Sequence, residues 1–202
     1  MTFVISLISL NVFGQTCSYV FGRTCLYENL SKKFNFKVLP ISKKEDLIQL
    51  VVQVTEKENS KKIQKLTIEC EGFYLDSFEN CKNVRSYITE INSQLPSGDE
   101  NDSGNFIVAD FNFDGLEDFA IKSDPGGNGG PLYTYFLQAE DKKFYRSNYL
   151  SDIVQFFPIE INPTNKTLTT FLHANAYQKN RRIFKYNQKA KKWKLIYNGF
   201  EP

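Results

Sequence analysis

The segment Asp110-Phe111-Asn112-Phe113-Asp114-Gly115-Leu116-Glu117-Asp118 constrains this chain more than any other. Oxygen-bearing side chains recur at Asp110, Asn112 and Asp114, Gly115 follows, and a further carboxylate stands at Asp118. The spacing suits a loop wrapped round a hard cation. Ca²⁺ takes about six to eight oxygen ligands in a flexible shell, and a glycine after the third ligand permits the sharp turn. The expected ligands are the side chains of Asp110, Asn112, Asp114 and Asp118 and the carbonyl of Leu116. The flanks decide the kind of loop. An EF-hand places a bidentate Glu at its twelfth position, which here is Ile121. The flanking runs Phe106–Ala109 and Phe119–Ile121 read as short apolar strands, not amphipathic helices. The expectation is a metal loop between β-strands, its calcium structural because the ligands would saturate it. The alternative is an Asx-rich turn without metal, since Asp, Asn and Gly are ordinary turn residues.

The rest of the chain also favours strands. Its 202 residues suffice for one domain with a proper core, and 18 Phe and 11 Tyr among many Val, Ile and Thr favour sheet over helix. Candidate strands are Phe34–Val38, Leu47–Val54, Ile63–Cys70, Leu132–Gln138, Phe144–Asn148, Ile153–Ile161, Thr167–Ala174, Tyr177–Tyr186 and Trp193–Tyr197, separated by polar turns. Val84, Tyr87, Ile88, Ile91 and Leu95 fall at helical spacing before Pro96, so one short helix is expected there. The fold class is mainly β: an antiparallel β-sandwich or barrel-like sandwich with one short helix, spanning residues 16–202 as a single domain.

Residues 1–15 are expected to be a signal peptide, because Met1–Gly14 is uncharged and apolar but shorter than the roughly 20 residues of a spanning helix. A buried N-terminal strand is the alternative. No transmembrane anchor is expected, and the location is periplasmic or secreted. Four Cys fit export, with the local pairs Cys17–Cys25 and Cys70–Cys81 as the preferred disulfides and reduced, buried Cys as the alternative.

Two further stretches are candidates for binding. The loop Gly126–Gly130 has no following Lys-Ser/Thr, so it is no phosphate loop; it is either a binding loop or a wide connection between strands. Near the C-terminus Lys179, Arg181, Arg182, Lys185, Lys189, Lys191, Lys192 and Lys194 interleave with aromatics. With a net charge of only +2, the reading is a solvated hairpin face, not a nucleic-acid site. His173, the single His, lies in an apolar run with no nucleophile beside it. No catalytic residues and no enzymatic activity are expected.

The metal loop, taken alone, is similar to those of dockerin-like and integrin-repeat-like sites. In tandem with Gly127-Asn128-Gly129-Gly130 and the aromatic run Tyr133-Thr134-Tyr135-Phe136-Leu137, residues 105–146 resemble a family of exported bacterial proteins: calcium-binding immunity proteins related to periplasmic lysozyme inhibitors. The resemblance implies an antiparallel β-sandwich that blocks a lysozyme-like peptidoglycan hydrolase by inserting a loop in its cleft. It implies Ca²⁺ held by Asp110, Asn112, Asp114, Leu116 and Asp118, and an inhibitory surface on or near Gly127, Asn128, Gly129 and Tyr133. The competing expectation is a calcium-stabilised carbohydrate-binding or adhesive module of the integrin-repeat type.

Overall fold

The structure is a computed structural model that describes residues 23–44, 47–61, 63–71, 81–93, 102–175 and 177–201. The expected signal peptide and Cys17 lie outside the described residues. Among the described residues thirteen strands form three sheets. The first is an antiparallel meander of β1 (Cys25–Tyr27), β2 (Phe34–Lys44), β3 (Leu47–Glu56) and β4 (Ile63–Glu71). The second, central sheet is β5 (Val84–Ser86), β6 (Phe106–Ala109), β7 (Asp118–Asp124), β8 (Leu132–Gln138) and β9 (Phe144–Arg146); β5 runs parallel to β6 and the other pairs are antiparallel. The third is a second meander, β10 (Glu160–Asn162), β11 (Thr167–His173), β12 (Lys179–Asn187) and β13 (Lys192–Glu201). Among the described residues no helix is long and apolar enough to cross a membrane.

The expected β-sandwich is present, and the central sheet is buried on both faces. Alternate residues point to opposite sides of a strand. Phe106, Val108, Phe119, Ile121 and Phe136 face the first sheet and pack with Phe34, Phe36, Val38, Leu50 and Val52. Ile107, Ala109, Ala120, Tyr133 and Tyr135 face the other way and pack with Leu150, Val154, Phe157, Leu168 and Phe184. This explains why β6 and the start of β7 read as unbroken apolar runs while β3 alternates: the former have no solvent face.

Two expected elements are replaced. Among the described residues no helix follows Val84. Val84–Ser86 is strand β5, and the chain then folds back so that Ser86 N donates to Ile91 O and Ser93 N to Val84 O. The Ser86 hydroxyl accepts from Ile88 N and Thr89 N, a local side-chain-to-backbone pattern that competes with helix, and pairing with β6 does the rest. Leu95 and Pro96 lie outside the described residues. Conversely, the stretch expected as a strand from Ile153 to Ile161 begins inside a π-helical turn, Leu150–Val154, with only Glu160–Asn162 extended. Ser147 starts that turn by accepting Ser151 N at its carbonyl, and Gln155 ends it at φ 64°.

The cysteine pairing also differs. Cys25 bonds Cys81, 56 residues away with a Cα–Cα distance of 5.3 Å, so both local pairs are excluded. Cys70 is a buried free thiol whose pKa burial raises to about 12, with Asp124 adding to the rise. The disulfide joins β1 of the first sheet to the lead-in of β5 in the central one, and a loop of that length confers about 4 kcal/mol in the chain-entropy view. The double variant Cys25→Ser/Cys81→Ser is expected to lose roughly 2–4 kcal/mol in urea denaturation. An unchanged midpoint would show that sheet packing alone holds this corner.

Candidate functional site

The Asx-rich loop joins β6 to β7 and is closed by its own side chains. Asp110 accepts Asp114 N at 3.1 Å on one oxygen and Gly115 N at 2.8 Å on the other. Asn112 Oδ1 accepts Asp114 N at 3.2 Å, and its amide donates to Asp114 Oδ2 at 2.8 Å. Asp114 Oδ1 accepts Leu116 N at 2.8 Å. Gly115 at φ +84° occupies the left-handed region that a side chain disfavours. Phe111 packs edge-on against Tyr135 and Phe157, and Phe113 lies against Trp193, so the intervening polar residues are held outside the apolar layer.

Asp118 is fully buried. One of its oxygens accepts Phe111 N at 2.9 Å and the other accepts Gln138 N at 2.8 Å. Burial raises its pKa well above the ordinary carboxylate range, the two backbone donors oppose the rise, and Asp114 and Asp110 add to it. Burial also raises Asp110, again with Asp114 adding. The donor set of the loop is all oxygen, as a hard cation requires. Among the described residues no three His, Cys, Asp or Glu side chains converge as a metal-binding group. Asp118 is committed to two amides, so only its remaining lone pairs are open to a cation.

The second candidate, Gly126–Gly130, connects β7 to β8. Gly127–Gly129 forms a 3₁₀ turn, braced by Asp124 Oδ1 accepting Gly126 N at 2.6 Å, Gly129 N donating to Gly126 O and Gly130 N donating to Gly127 O. At Gly126, φ +66°, an added Cβ would meet Gly130 O at 1.7 Å; at Gly127 it would meet nothing within 4 Å. Gly129 backs onto the Phe156 ring. Gly127 is exposed. Tyr133 is not part of this surface: it is 1% exposed, its hydroxyl donates to Gly104 O at 2.9 Å and accepts Ser103 N at 3.2 Å. Buried Lys122 pairs with Asp102 at 2.5 Å, so the segment entering β6 is pinned to β7 and β8. The Asx-rich loop and the glycine turn sit at opposite ends of β7, roughly 20 Å apart for a strand of this length.

A third feature was invisible in the sequence. A groove of about 830 Å³ runs beside the Asx-rich loop, walled by Asp114, Glu140, Asp141, Tyr145, Tyr186 and Gln188. Tyr145 donates to Asp141 Oδ2 at 2.9 Å, which raises the tyrosine, and the Lys143 backbone N–H, seconded by that hydroxyl, lowers the Asp141 carboxyl. Its walls come from three separate turns, so no linear motif announces it. His173 lies half-buried at the end of β11, opposite Lys179 in register.

The raised carboxylates set a pH dependence. An acid whose folded pKa exceeds its unfolded value contributes stability while protonated and loses it as pH rises through the folded pKa. In chelator, the unfolding temperature is expected to fall as pH rises above the ordinary Asp pKa of about 4, and Asp118→Asn should flatten that slope. A slope unaltered by Asp118→Asn would assign it to other groups. No protein-family model, curated protein or solved structure matches this chain.

Proposed function

We propose that this protein is an exported, non-enzymatic inhibitor of a lysozyme-like peptidoglycan hydrolase, with the Gly127-Asn128-Gly129 turn as the element that enters the cleft. The observation that carries this reading is the brace under the turn. Its conformation is set before any partner arrives, by the Asp124 acceptor, two internal amide bonds and the Phe156 wall. A pre-ordered loop loses less conformational entropy on binding. Glycines at Gly127 and Gly129 leave a narrow backbone that fits a cleft shaped for a glycan strand. The resemblance of residues 105–146 to the lysozyme-inhibitor-related immunity proteins supports the same reading. The Cys25–Cys81 disulfide supports an oxidising, periplasmic or secreted location.

One Ca²⁺ belongs to the proposal, held by Asp110, Asn112, Asp114, the Leu116 carbonyl and the free lone pairs of Asp118; when bound it neutralises a crowded set of carboxylates. Because the two features lie at opposite ends of β7, the ion acts on the fold and not on the glycine turn. Calcium is thus expected to raise the unfolding temperature more at about pH 7 than at about pH 4, while inhibition per folded molecule stays the same with or without it.

Hydrolase turnover on peptidoglycan tests the main reading. Gly127→Lys meets no neighbouring atom, although the left-handed φ of +55° costs a side chain about 1–2 kcal/mol; it should abolish inhibition while the protein still folds, with a slightly lowered unfolding temperature. Gly126→Ala should instead destabilise the protein by roughly 2 kcal/mol or more through the collision with Gly130 O. A folded wild-type protein that inhibits no lysozyme class defeats the proposal.

The groove favours a second reading, a calcium-stabilised carbohydrate-binding module. Tyr145 and Tyr186 offer ring faces, and Gln188, Asp114 and Glu140 offer hydrogen bonds for sugar hydroxyls. Glycan fragments that bind in a Tyr145-dependent way, with no effect on hydrolases, would favour it.

A further inference from the structure

We propose that the outward face of the C-terminal sheet is a docking surface for an anionic lipid bilayer. Strand register separates the two faces. Leu168, Phe184, Tyr186 and Trp193 turn inward to the second core. The opposite face carries Lys185 directly across from Lys194, Asn187 across from Lys192, Ile183 across from Tyr197, and Phe171 across from Arg181. Like charges directly opposite each other on an antiparallel pair destabilise it. Neither Lys185, Lys192 nor Lys194 forms an ion pair among the described residues, and all three are exposed. The carboxylates on this face stand away from them: Glu201 is bound to Arg181 at 3.2 Å, and Glu160 accepts from Thr169 on the far strand.

The lysines surround a shallow hollow of about 560 Å³ at the β12–β13 turn that also reaches Lys166, Lys189, Ile196 and the edges of Tyr186 and Trp193. A cationic hollow needs an anionic occupant, and the apolar members of the face say which. Ile196 is 50% and Tyr197 42% exposed, next to the lysines, with Ile183 and Phe171 continuing the patch. Aliphatic side chains beside lysines suit a bilayer, where the ammonium groups meet headgroup phosphates and the apolar groups enter the interface. A nucleic acid would stack bases on exposed rings, but the rings that line the hollow, Tyr186 and Trp193, are half-buried and packed on each other at 4.9 Å, and Arg181 covers the Tyr197 ring at 5.9 Å. A second copy pairing along the edge strand β13 would bring Lys192 and Lys194 against the same lysine-rich strand.

The test is co-sedimentation of the full chain with phosphatidylcholine vesicles, with and without about 30% phosphatidylglycerol. Binding is expected only to the anionic vesicles and should weaken with added salt. Lys185→Gln/Lys194→Gln should lower the apparent affinity about 25-fold, with an unfolding temperature kept or raised because a like-charged pair is gone. Ile196→Ser should weaken binding and leave its salt dependence unchanged. Equal binding to neutral vesicles, no binding to either, or indifference to the lysine variant overturns the proposal. So does capture by heparin or single-stranded DNA while anionic vesicles stay unbound, which would make the face a polyanion site.

Discussion

Contacts to all three sheets meet at the β6–β7 loop, whose fixed point inside the central sheet is the carboxylate of Asp118. It closes the Asx loop on Phe111 N, and it fastens the far end of β8 through Gln138 N. The residue before it completes the joint. Glu117 is buried, its backbone N–H donates to Gln138 Oε1, and its carboxylate accepts from Ser31 Oγ and from Lys32 N, which lead into β2. On the other side Gln188 of the β12–β13 turn donates to the Phe113 carbonyl. Contacts to all three sheets thus converge on nine residues of loop, and buried polar atoms leave little freedom because each one without its partner is costly.

That arrangement explains an oddity of the loop. A turn needed only to reverse the chain would have no reason to bury one carboxylate fully and crowd two more beside it. Burial, with the neighbouring carboxylates adding to it, raises Asp110 and Asp118 toward protonation, and the proposed cation would remove the conflict at neutral pH. The joint between the sheets and the proposed ion site are the same residues, so ion occupancy and sheet assembly share one free energy.

Hairpins were the legible part of the sequence. β3, β4 and β8 alternate or run apolar between clear polar turns, and their ends differ by at most a few residues from the pattern. The failures have local causes. Residues 84–95 carry helical spacing, but the Ser86 hydroxyl and a parallel partner override it. Ile153–Ile161 is apolar enough for a strand, but Ser147 and Gln155 bracket a turn whose apolar side still faces the core. Tyr133 sits beside an exposed turn in sequence and inside the core in space, because strand alternation reverses the side of every next residue. The disulfide and the groove depend on which distant turns meet, a question of tertiary topology that spacing along the chain does not encode.

Strand β7 links the two proposed sites and is packed on both faces. A rod so confined transmits position but has no second arrangement through which to transmit a signal. Substitutions at its two ends should therefore combine additively in free energy. Over evolutionary time the glycine turn is free to track a changing partner while the oxygen-rich loop stays under an unrelated selection, that of keeping three sheets joined.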